Sequence, residues 1–202
     1  AIPSSLPAYS KWNGEPFAVI TSATTRTRPF LSFDITILPV RYGGRPMKVA
    51  IVGGPGIGKS TLVRQLGDLY HNGSYGEGEQ GVWDPRVLAD IEAGRNPVGV
   101  TAYFGDLYDA NYRDADTHDG PGKVIFFEGA RITLEAHIPE YPAAVHDELR
   151  RVLVVGDRWH PDKVIVLTSS TDTIEKHIRL RARPYERAEE MVRRFRIIDA
   201  EF

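Results

Sequence analysis

The chain has 202 residues, of which 42% are hydrophobic and 26% are charged. This is the composition of an ordinary folded domain, and it excludes a wholly disordered protein. Lys and Arg total 25 against 27 Asp and Glu, a near balance that argues against a polybasic protein built to coat nucleic acid or an anionic membrane.

The sequence contains no cysteine, which fits a reducing compartment. It also lacks the apolar run of about 18 residues that predicts a transmembrane helix. Its first ten residues, AIPSSLPAYS, lack the charged and apolar regions of a signal peptide. We therefore expect a soluble, cytoplasmic protein without disulfides and with no membrane partner.

The first part of the chain differs in character from the rest. Residues 1–16 are rich in Pro, Ser and Gly and predict an arm. Two β-type runs follow at 17–21 and 33–40, with a polar stretch between them, and they predict a hairpin-like unit. After a turn-rich joint the pattern changes to alternating strands and helices. We therefore divide the chain into a β appendage over 1–45 and a main domain over 46–202.

The main domain opens with a strand and a helix. The apolar run at 47–53 predicts a buried parallel strand, as do the runs at 123–128 and 163–168. A helix is predicted over 59–70, because four apolar side chains share one of its faces. These side chains are Leu62, Val63, Leu66 and Leu69.

Further helices are predicted between and after these strands. One begins at Asp84-Pro85 and ends at Gly94, by its N-cap and its glycine stop. The others are predicted over 101–112, over 142–155, after an Asp172–Glu175 capping box, and over 186–196. Residues 114–122 predict an acidic loop. The order of elements predicts an α/β fold in which helices sandwich a parallel sheet.

A phosphate-binding motif follows the first strand of the main domain. Residues 53–61, GGPGIGKST, fit the pattern G-x-x-x-x-G-K-[ST]. Glycines let successive N–H groups form an anion nest at a helix N-terminus, while Lys59 reaches the β- and γ-phosphates and the Ser60 hydroxyl binds Mg²⁺. The predicted nucleotide-binding residues are Gly53, Gly54, Pro55, Gly56, Ile57, Gly58, Lys59, Ser60 and Thr61.

Other motifs narrow the class of P-loop protein. The chain has no N-K-x-D or T-K-x-D string, which a guanine-nucleotide switch needs, and no LSGGQ-like transporter signature. The strand VIFFE ends in Glu128, in the layout of a Walker-B-type carboxylate that holds Mg²⁺ opposite the P-loop hydroxyl. Ser60 and Glu128 are therefore the predicted metal ligands.

Arginines concentrate near the C-terminus, in HIRLRARPYER over residues 177–187. Arg179 and Arg183 are four residues apart and share a helix face, whereas Arg181 points elsewhere. The cluster is either a solvated basic helix end or a lid whose guanidinium groups close on a transferring phosphoryl group.

At the P-loop and the arginine cluster, the sequence resembles the deoxynucleoside kinase and thymidylate kinase group of P-loop phosphotransferases. The likeness spans about residues 47–196. The lid of that family reads R-G-R-x-x-E, and R-A-R-P-Y-E here implies that Arg181 and Arg183 are lid arginines. The family also carries an acid–Arg pair after its third strand, to which Glu128 and, two residues later than usual, Arg131 correspond. A strand ending in F-E-G is also similar to uridine kinases.

The resemblance also implies a catalytic base and a nucleoside pocket. The family base is a Glu near a Trp after the second strand, and this region reads YGEGEQGVW here, without a clear strand. Glu79 is the candidate base and Glu77 the alternative. Aromatic residues occur where the family lines its pocket, although such a stripe is also typical of a core. They are Trp83, Tyr103, Phe104, Tyr108 and Tyr112.

The family usually adds a strand and a helix after the lid, whereas this chain ends at Phe202. We expect the N-terminal strands, especially 35–40, to extend or cover the sheet instead.

Together these features predict an ATP- and Mg²⁺-dependent kinase that moves the γ-phosphoryl group to a nucleoside or deoxynucleoside-like acceptor. Lys59, Glu79, Glu128, Arg131, Arg181 and Arg183 are its predicted catalytic residues. The acceptor could instead be a nucleotide, a modified base in DNA or RNA, or another small metabolite; the net charge does not favour nucleic acid. The alternative from another functional class is a nucleotide-binding regulatory ATPase that transfers no phosphoryl group to an acceptor. A homodimer is left open.

Overall fold

The computed structural model describes residues 18–20, 46–70, 73–77, 83–118, 123–153, 161–181 and 186–202. The strands are β1 (Ala18–Ile20), β2 (Met47–Val52), β3 (Ser74–Tyr75), β4 (Val124–Glu128) and β5 (Lys163–Leu167). The helices are α1 (Lys59–Tyr70), α2 (Pro85–Ala93), α3 (Pro97–His118), α4 (Arg131–Ala136), α5 (His146–Leu153), α6 (Thr171–Arg181) and α7 (Ala188–Asp199). Two 3₁₀ turns, Ile138–Glu140 and Ala143–Val145, lie between α4 and α5.

The described strands form one parallel sheet in the order β1-β5-β2-β4-β3. Its central strand, β2, is buried along its whole length, as expected for a parallel strand covered on both faces. The register sets Ile51 opposite Glu128 of β4 on one side and opposite Ile165 of β5 on the other. The predicted α/β fold with a parallel sheet between helices is confirmed.

Helices cover both faces of the sheet. On one face, Val49 and Ile51 pack in a core that includes Leu62 of α1, Ile174 of α6 and Phe195 of α7. On the other face, the alternate side chains form two smaller cores with residues of α3 and of the α4 region. The alternation of a strand's side chains thus divides one apolar run between two layers of helices.

The N-terminal region contributes to this sheet. Strand β1 pairs in parallel with β5, with Val19 opposite Val166, and it lies within the predicted run 17–21. The second predicted run, 33–40, and with it the stretch 35–40, lies outside the described residues.

Helix α3 is longer than predicted. It runs over Pro97–His118, so the prediction of a loop beginning at 114 was wrong. Tyr112 and Ala115 continue the buried face of the helix against β4, and Asp116 binds the Lys48 ammonium at 2.6 Å. Tertiary contacts therefore stabilise as helix a segment whose composition is typical of a loop.

Two elements were not predicted at all. Strand β3 is only two residues long and pairs with Phe126 and Phe127. Helix α4 is also short, and the Thr133 hydroxyl accepts a hydrogen bond from the Ala130 N–H, 3.2 Å away, at its start. Both elements are too short for a periodic pattern to be visible in the sequence.

Three local predictions need correction. Leu69 is 69% exposed, and Tyr70, four residues after Leu66, packs on the core instead. Ser170 rather than Asp172 caps α6, because its hydroxyl accepts a hydrogen bond from the Thr173 N–H at 3.3 Å. The helix predicted over 142–155 begins as a 3₁₀ turn, and its α-helical part is His146–Leu153.

Among the described helices, none is long and apolar enough to cross a membrane.

A buried ion network fastens α7 to the turn that follows α4. The Arg194 Nη2 lies 2.9 Å from Glu140 Oε2, and His137 Nδ1 lies 3.0 Å from the same oxygen. Burial alone would raise the pKa of the Glu140 carboxyl, but the hydrogen bonds and charges of His137 and Arg194 outweigh it and lower that pKa. The ionised carboxylate is therefore the form that stabilises the fold.

Replacing Arg194 with Met should leave this carboxylate without the hydrogen bonds of the guanidinium group and lower the free energy of unfolding by about 3 kcal/mol at pH 7. Since folding lowers the pKa of Glu140, its contribution should be lost as the pH falls below the usual value of 4.5. The gap between wild type and variant, measured as urea midpoints, should narrow at that acid end. Arg193→Met on the exposed face of the same helix is the control. An equal loss in both variants would contradict the prediction.

Candidate active site

The glycine-rich loop joins the central strand to the first helix. β2 ends at Val52 and α1 begins at Lys59. Gly53 has a φ of +141°, and a Cβ there would lie 2.6 Å from the Leu167 carbonyl oxygen of β5. A larger residue could not make this turn so close to the neighbouring strand. The Lys59 Nζ folds back over the loop and donates to the carbonyl oxygens of Gly53, at 3.0 Å, and Gly54, at 3.2 Å.

Next to this loop, a buried carboxylate meets the hydroxyl at the start of α1. Ser60 Oγ donates to Glu128 Oε1 at 2.7 Å. Glu128 is the last residue of β4, and its side chain is nearly buried, with 7% exposure. The parallel register with Ile51 brings the end of β4 beside the end of β2, where the loop begins. Ser60 and Glu128, predicted as a metal-binding pair, are thus in contact.

Burial is the main factor that raises the pKa of the Glu128 carboxyl, and the nearby charge of Glu77 raises it further. The Lys59 ammonium, the Ser60 hydroxyl and the backbone N–H of Glu77 act in the opposite direction. Two carboxylates that raise each other's energy in a buried setting are a favourable environment for a hard cation. Over the described ranges, no cluster of three or more His, Asp or Glu side chains offers a metal site. This donor set fits an ion that also takes ligands from a phosphate and from water, as Mg²⁺ does.

Glu77 lies just beyond β3, at the same edge of the sheet. Its carbonyl oxygen accepts a hydrogen bond from Trp83 Nε1 at 2.7 Å, and its Oε1 accepts one from the Tyr108 hydroxyl at 2.5 Å. Its backbone N–H is hydrogen-bonded to Glu128. The N–H, the carbonyl and the carboxylate of Glu77 are therefore all bound. Glu79, the first candidate for the base, lies outside the described part of the chain.

The arginines are engaged elsewhere. Arg131 begins α4, and its Nε donates to Glu135 Oε1 at 2.8 Å. Arg181 ends α6, and its Nε donates to Glu186 Oε2 at 2.5 Å. Arg183 is beyond the described residues. The contacts described for Arg131 and Arg181 therefore do not join them to the two carboxylates.

The five aromatic candidates divide into two groups. Tyr108 and Tyr112 are 2% and 1% exposed and belong to the core, where Tyr112 stacks on Phe127 with 4.1 Å between ring centroids. Trp83 and Tyr103 each pack edge-to-face against Phe104, at centroid distances of 5.2 and 5.4 Å. All three side chains are half-buried. Only these three form a partly open aromatic wall near Glu77.

Tyr108 was predicted only as a pocket or core aromatic residue, and Gly129 was not predicted as a site residue; the sequence did not indicate the contacts of Tyr108 with Glu77 and Gly129. Burial and the charge of Glu77 raise the pKa of the Tyr108 hydroxyl well above its usual value, so this group remains a donor. Gly129 has a φ of +86°, and a Cβ there would lie 2.3 Å from the Tyr108 hydroxyl oxygen. The one available signal was a glycine directly after a strand-ending acid.

Replacing Gly129 with Ala should therefore displace Tyr108 as well as strain the backbone. Gly94→Ala is a matched control, because Gly94 also has a positive φ, of +60°, but a Cβ there would meet nothing within 4 Å. We expect the thermal midpoint to fall in both variants, by a backbone effect of about 1 kcal/mol, and to fall further only in Gly129→Ala. An equal fall in the thermal midpoint of both variants would show that the contact with Tyr108 does not affect stability.

Comparison with known proteins identifies the fold. No family model and no curated protein matches the sequence. Among solved structures, a deoxyadenosine kinase from M. mycoides with bound dATP matches with a TM-score of 0.55 and 18% identity, over 77% of this chain and 82% of that one. A deoxyadenosine kinase structure from the same organism, with the products dCMP and a flexible dCDP, matches with a TM-score of 0.58 and 17% identity, over 77% and 81%. The chain therefore has the P-loop kinase fold of the deoxyadenosine kinase structures.

Proposed function

We propose that this chain is an ATP- and Mg²⁺-dependent kinase that transfers the γ-phosphoryl group to a hydroxyl of a nucleoside or deoxynucleoside-like acceptor. The observation that carries the proposal is the 2.7 Å hydrogen bond between Ser60 and the buried Glu128, directly beside the glycine-rich loop. A hydroxyl and a carboxylate at this place are the protein ligands that Mg²⁺ takes in phosphoryl transfer.

The proposed roles follow from the chemistry of each group. The backbone N–H groups of residues 53–61, apart from Pro55, and the Lys59 ammonium bind the triphosphate. Ser60 and Glu128 hold Mg²⁺, which neutralises charge on the phosphate oxygens when it is bound. The hydrogen bonds from Lys59 to two loop carbonyls support its role, because they already hold the ammonium over the loop.

Glu77 is the better-supported base of the two candidates. It lies next to Glu128, and its carboxylate is fixed by Tyr108 at 2.5 Å. In the proposed reaction, the acceptor hydroxyl gives its proton to Glu77 while its oxygen forms a bond to the γ-phosphorus, and the bond from that phosphorus to the bridging oxygen of ADP breaks. Arg181 and Arg183 neutralise charge that develops on the transferred group, and Arg131 assists them.

Charge pairing on α2 and α3 favours an acceptor without a phosphate of its own. Every Arg and Lys in the described stretch 83–118 is paired with a nearby Asp. These pairs are Arg86 with Asp84, Arg95 with Asp90 and Arg113 with Asp109. Cationic side chains are what bind the phosphate of a nucleotide acceptor, and each cation described over 83–118 already has an Asp partner. The two structural neighbours are deoxyadenosine kinases, which supports the nucleoside class.

A radiolabelled γ-phosphate transfer assay tests the function. We expect label from ATP and Mg²⁺ to appear in a nucleoside or deoxynucleoside, and Lys59→Ala to lower the rate by at least about 100-fold, since it removes a charge at the transferring phosphate. The panel should include ribonucleosides, monophosphates and oligonucleotides. Label in a monophosphate alone would indicate a nucleotide kinase. Label released only as free phosphate would favour the regulatory ATPase.

The base is tested by two isosteric substitutions. Glu77→Gln should lower kcat by about 100- to 10,000-fold, because the amide cannot take the acceptor's proton. Glu79→Gln, two residues away, should leave kcat within about threefold of wild type. Both are measured at saturating ATP and acceptor. A large loss in Glu79→Gln together with an intact Glu77→Gln would reverse the assignment.

A further inference from the structure

One face of α3 holds the residues that lead from β3 into the site. Asn111 Nδ2 donates to the Gly76 carbonyl at 3.1 Å, and the Tyr75 hydroxyl donates to Asp114 Oδ2 at 2.9 Å. Tyr108 completes the series through Glu77. Residues 108, 111 and 114 are three apart and so lie along one face of the helix. Three successive residues, 75–77, are therefore each bound by the same helix.

The hydroxyl of Tyr108 reaches Glu77 by passing over Gly129. The side chain is 2% exposed, and the space above Gly129 is so narrow that even a methyl group there would meet the hydroxyl oxygen at 2.3 Å. A phenol hydroxyl has a single proton to donate, and here it is directed at Glu77 Oε1. Gly129 follows Glu128 directly, so the Tyr108 hydroxyl lies beside the end of β4 as well as beside Glu77.

The rest of Glu77 is fixed independently of its side chain. Its N–H donates to Glu128 and its carbonyl accepts from Trp83 Nε1. These bonds set the backbone but leave the χ angles of the carboxylate unconstrained. Among the described contacts, only the bond from Tyr108 holds the carboxylate, and it occupies Oε1 while Oε2 remains available.

We propose that Tyr108 is a positioning residue, which holds the Glu77 carboxylate so that Oε2 faces the hydroxyl of the acceptor. The proposal rests on the function proposed above, in which Glu77 receives the proton of that hydroxyl. It adds a residue that touches neither ATP nor acceptor and acts only through Glu77. Misplacing a reacting group by about 1 Å is enough to lower a rate by about 100-fold.

The test compares two isosteric variants on the same helix. Tyr108→Phe removes the hydroxyl that binds Glu77. Tyr112→Phe removes a hydroxyl from an equally buried ring, one turn further along, whose oxygen has no hydrogen-bond partner among the described residues. We expect kcat to fall by about 10- to 100-fold in Tyr108→Phe with the KM for ATP unchanged, and to stay within about twofold of wild type in Tyr112→Phe.

A double-variant cycle separates positioning from a general structural effect. If Tyr108 acts through Glu77, adding Tyr108→Phe to Glu77→Gln should cause no further loss of kcat. The same fold-loss in both backgrounds would overturn the proposal, as would wild-type kcat in Tyr108→Phe alone. Thermal midpoint and ATP affinity are measured for each variant first. A Tyr108→Phe protein that fails to fold, when Tyr112→Phe folds, would assign the hydroxyl to stability and also overturn it.

The same measurements distinguish a failure of the role of Tyr108 from a failure of the proposed kinase function. A wild-type protein that transfers no label to any acceptor would overturn the proposed kinase function and the role of Tyr108 with it. Transfer by wild type that is abolished in Lys59→Ala but undiminished in Tyr108→Phe would overturn only the role of Tyr108.

Discussion

The buried carboxylate of Glu128 is the constraint on which the site depends. A charge at 7% exposure is unfavourable unless it is hydrogen-bonded and paired, and here Ser60, Lys59 and a backbone N–H supply those partners. Each partner comes from a segment that leaves the carboxyl end of a neighbouring parallel strand. The sheet order β2-β4-β3 is therefore also what places the P-loop, Glu128 and Glu77 together.

The arrangement proposed for function reduces stability where β3 and β4 end. Glu77 raises the pKa of Glu128, because two neighbouring carboxylates repel each other. A fold tolerates such strain where the surroundings are rigid. Phe127, next to Glu128 in β4, stacks with Tyr112 of α3 and with Tyr75 of β3 at centroid distances of 4.1 and 5.2 Å. These stacked rings hold the ends of β3 and β4 together at the residues that precede Glu77 and Glu128.

The parts of the site that could be predicted are those whose chemistry is local in sequence. The P-loop combines a strand, glycines, a lysine and a helix within a few residues, and Glu128 ends an unmistakably apolar run. Glu77 and Tyr108 are 31 residues apart, and no pattern within either segment indicates their contact. The extension of α3 over Asp114 and Asp116 has the same cause, because its stabilising partners, Tyr75 and Lys48, lie far away along the chain.

The glycine after Glu128 determines which side chain can lie beside that carboxylate. In the family that the sequence resembles, an arginine follows the acid directly, whereas here Gly129 and Ala130 separate Glu128 from Arg131. Any side chain at 129 would collide with the Tyr108 hydroxyl. Glycine at 129 and tyrosine at 108 are therefore mutually dependent, since one provides the space that the other fills. The space beside Gly129 and Glu77 is thus filled by a neutral hydrogen-bond donor, whereas the guanidinium of Arg131 lies at the start of α4, bound to Glu135.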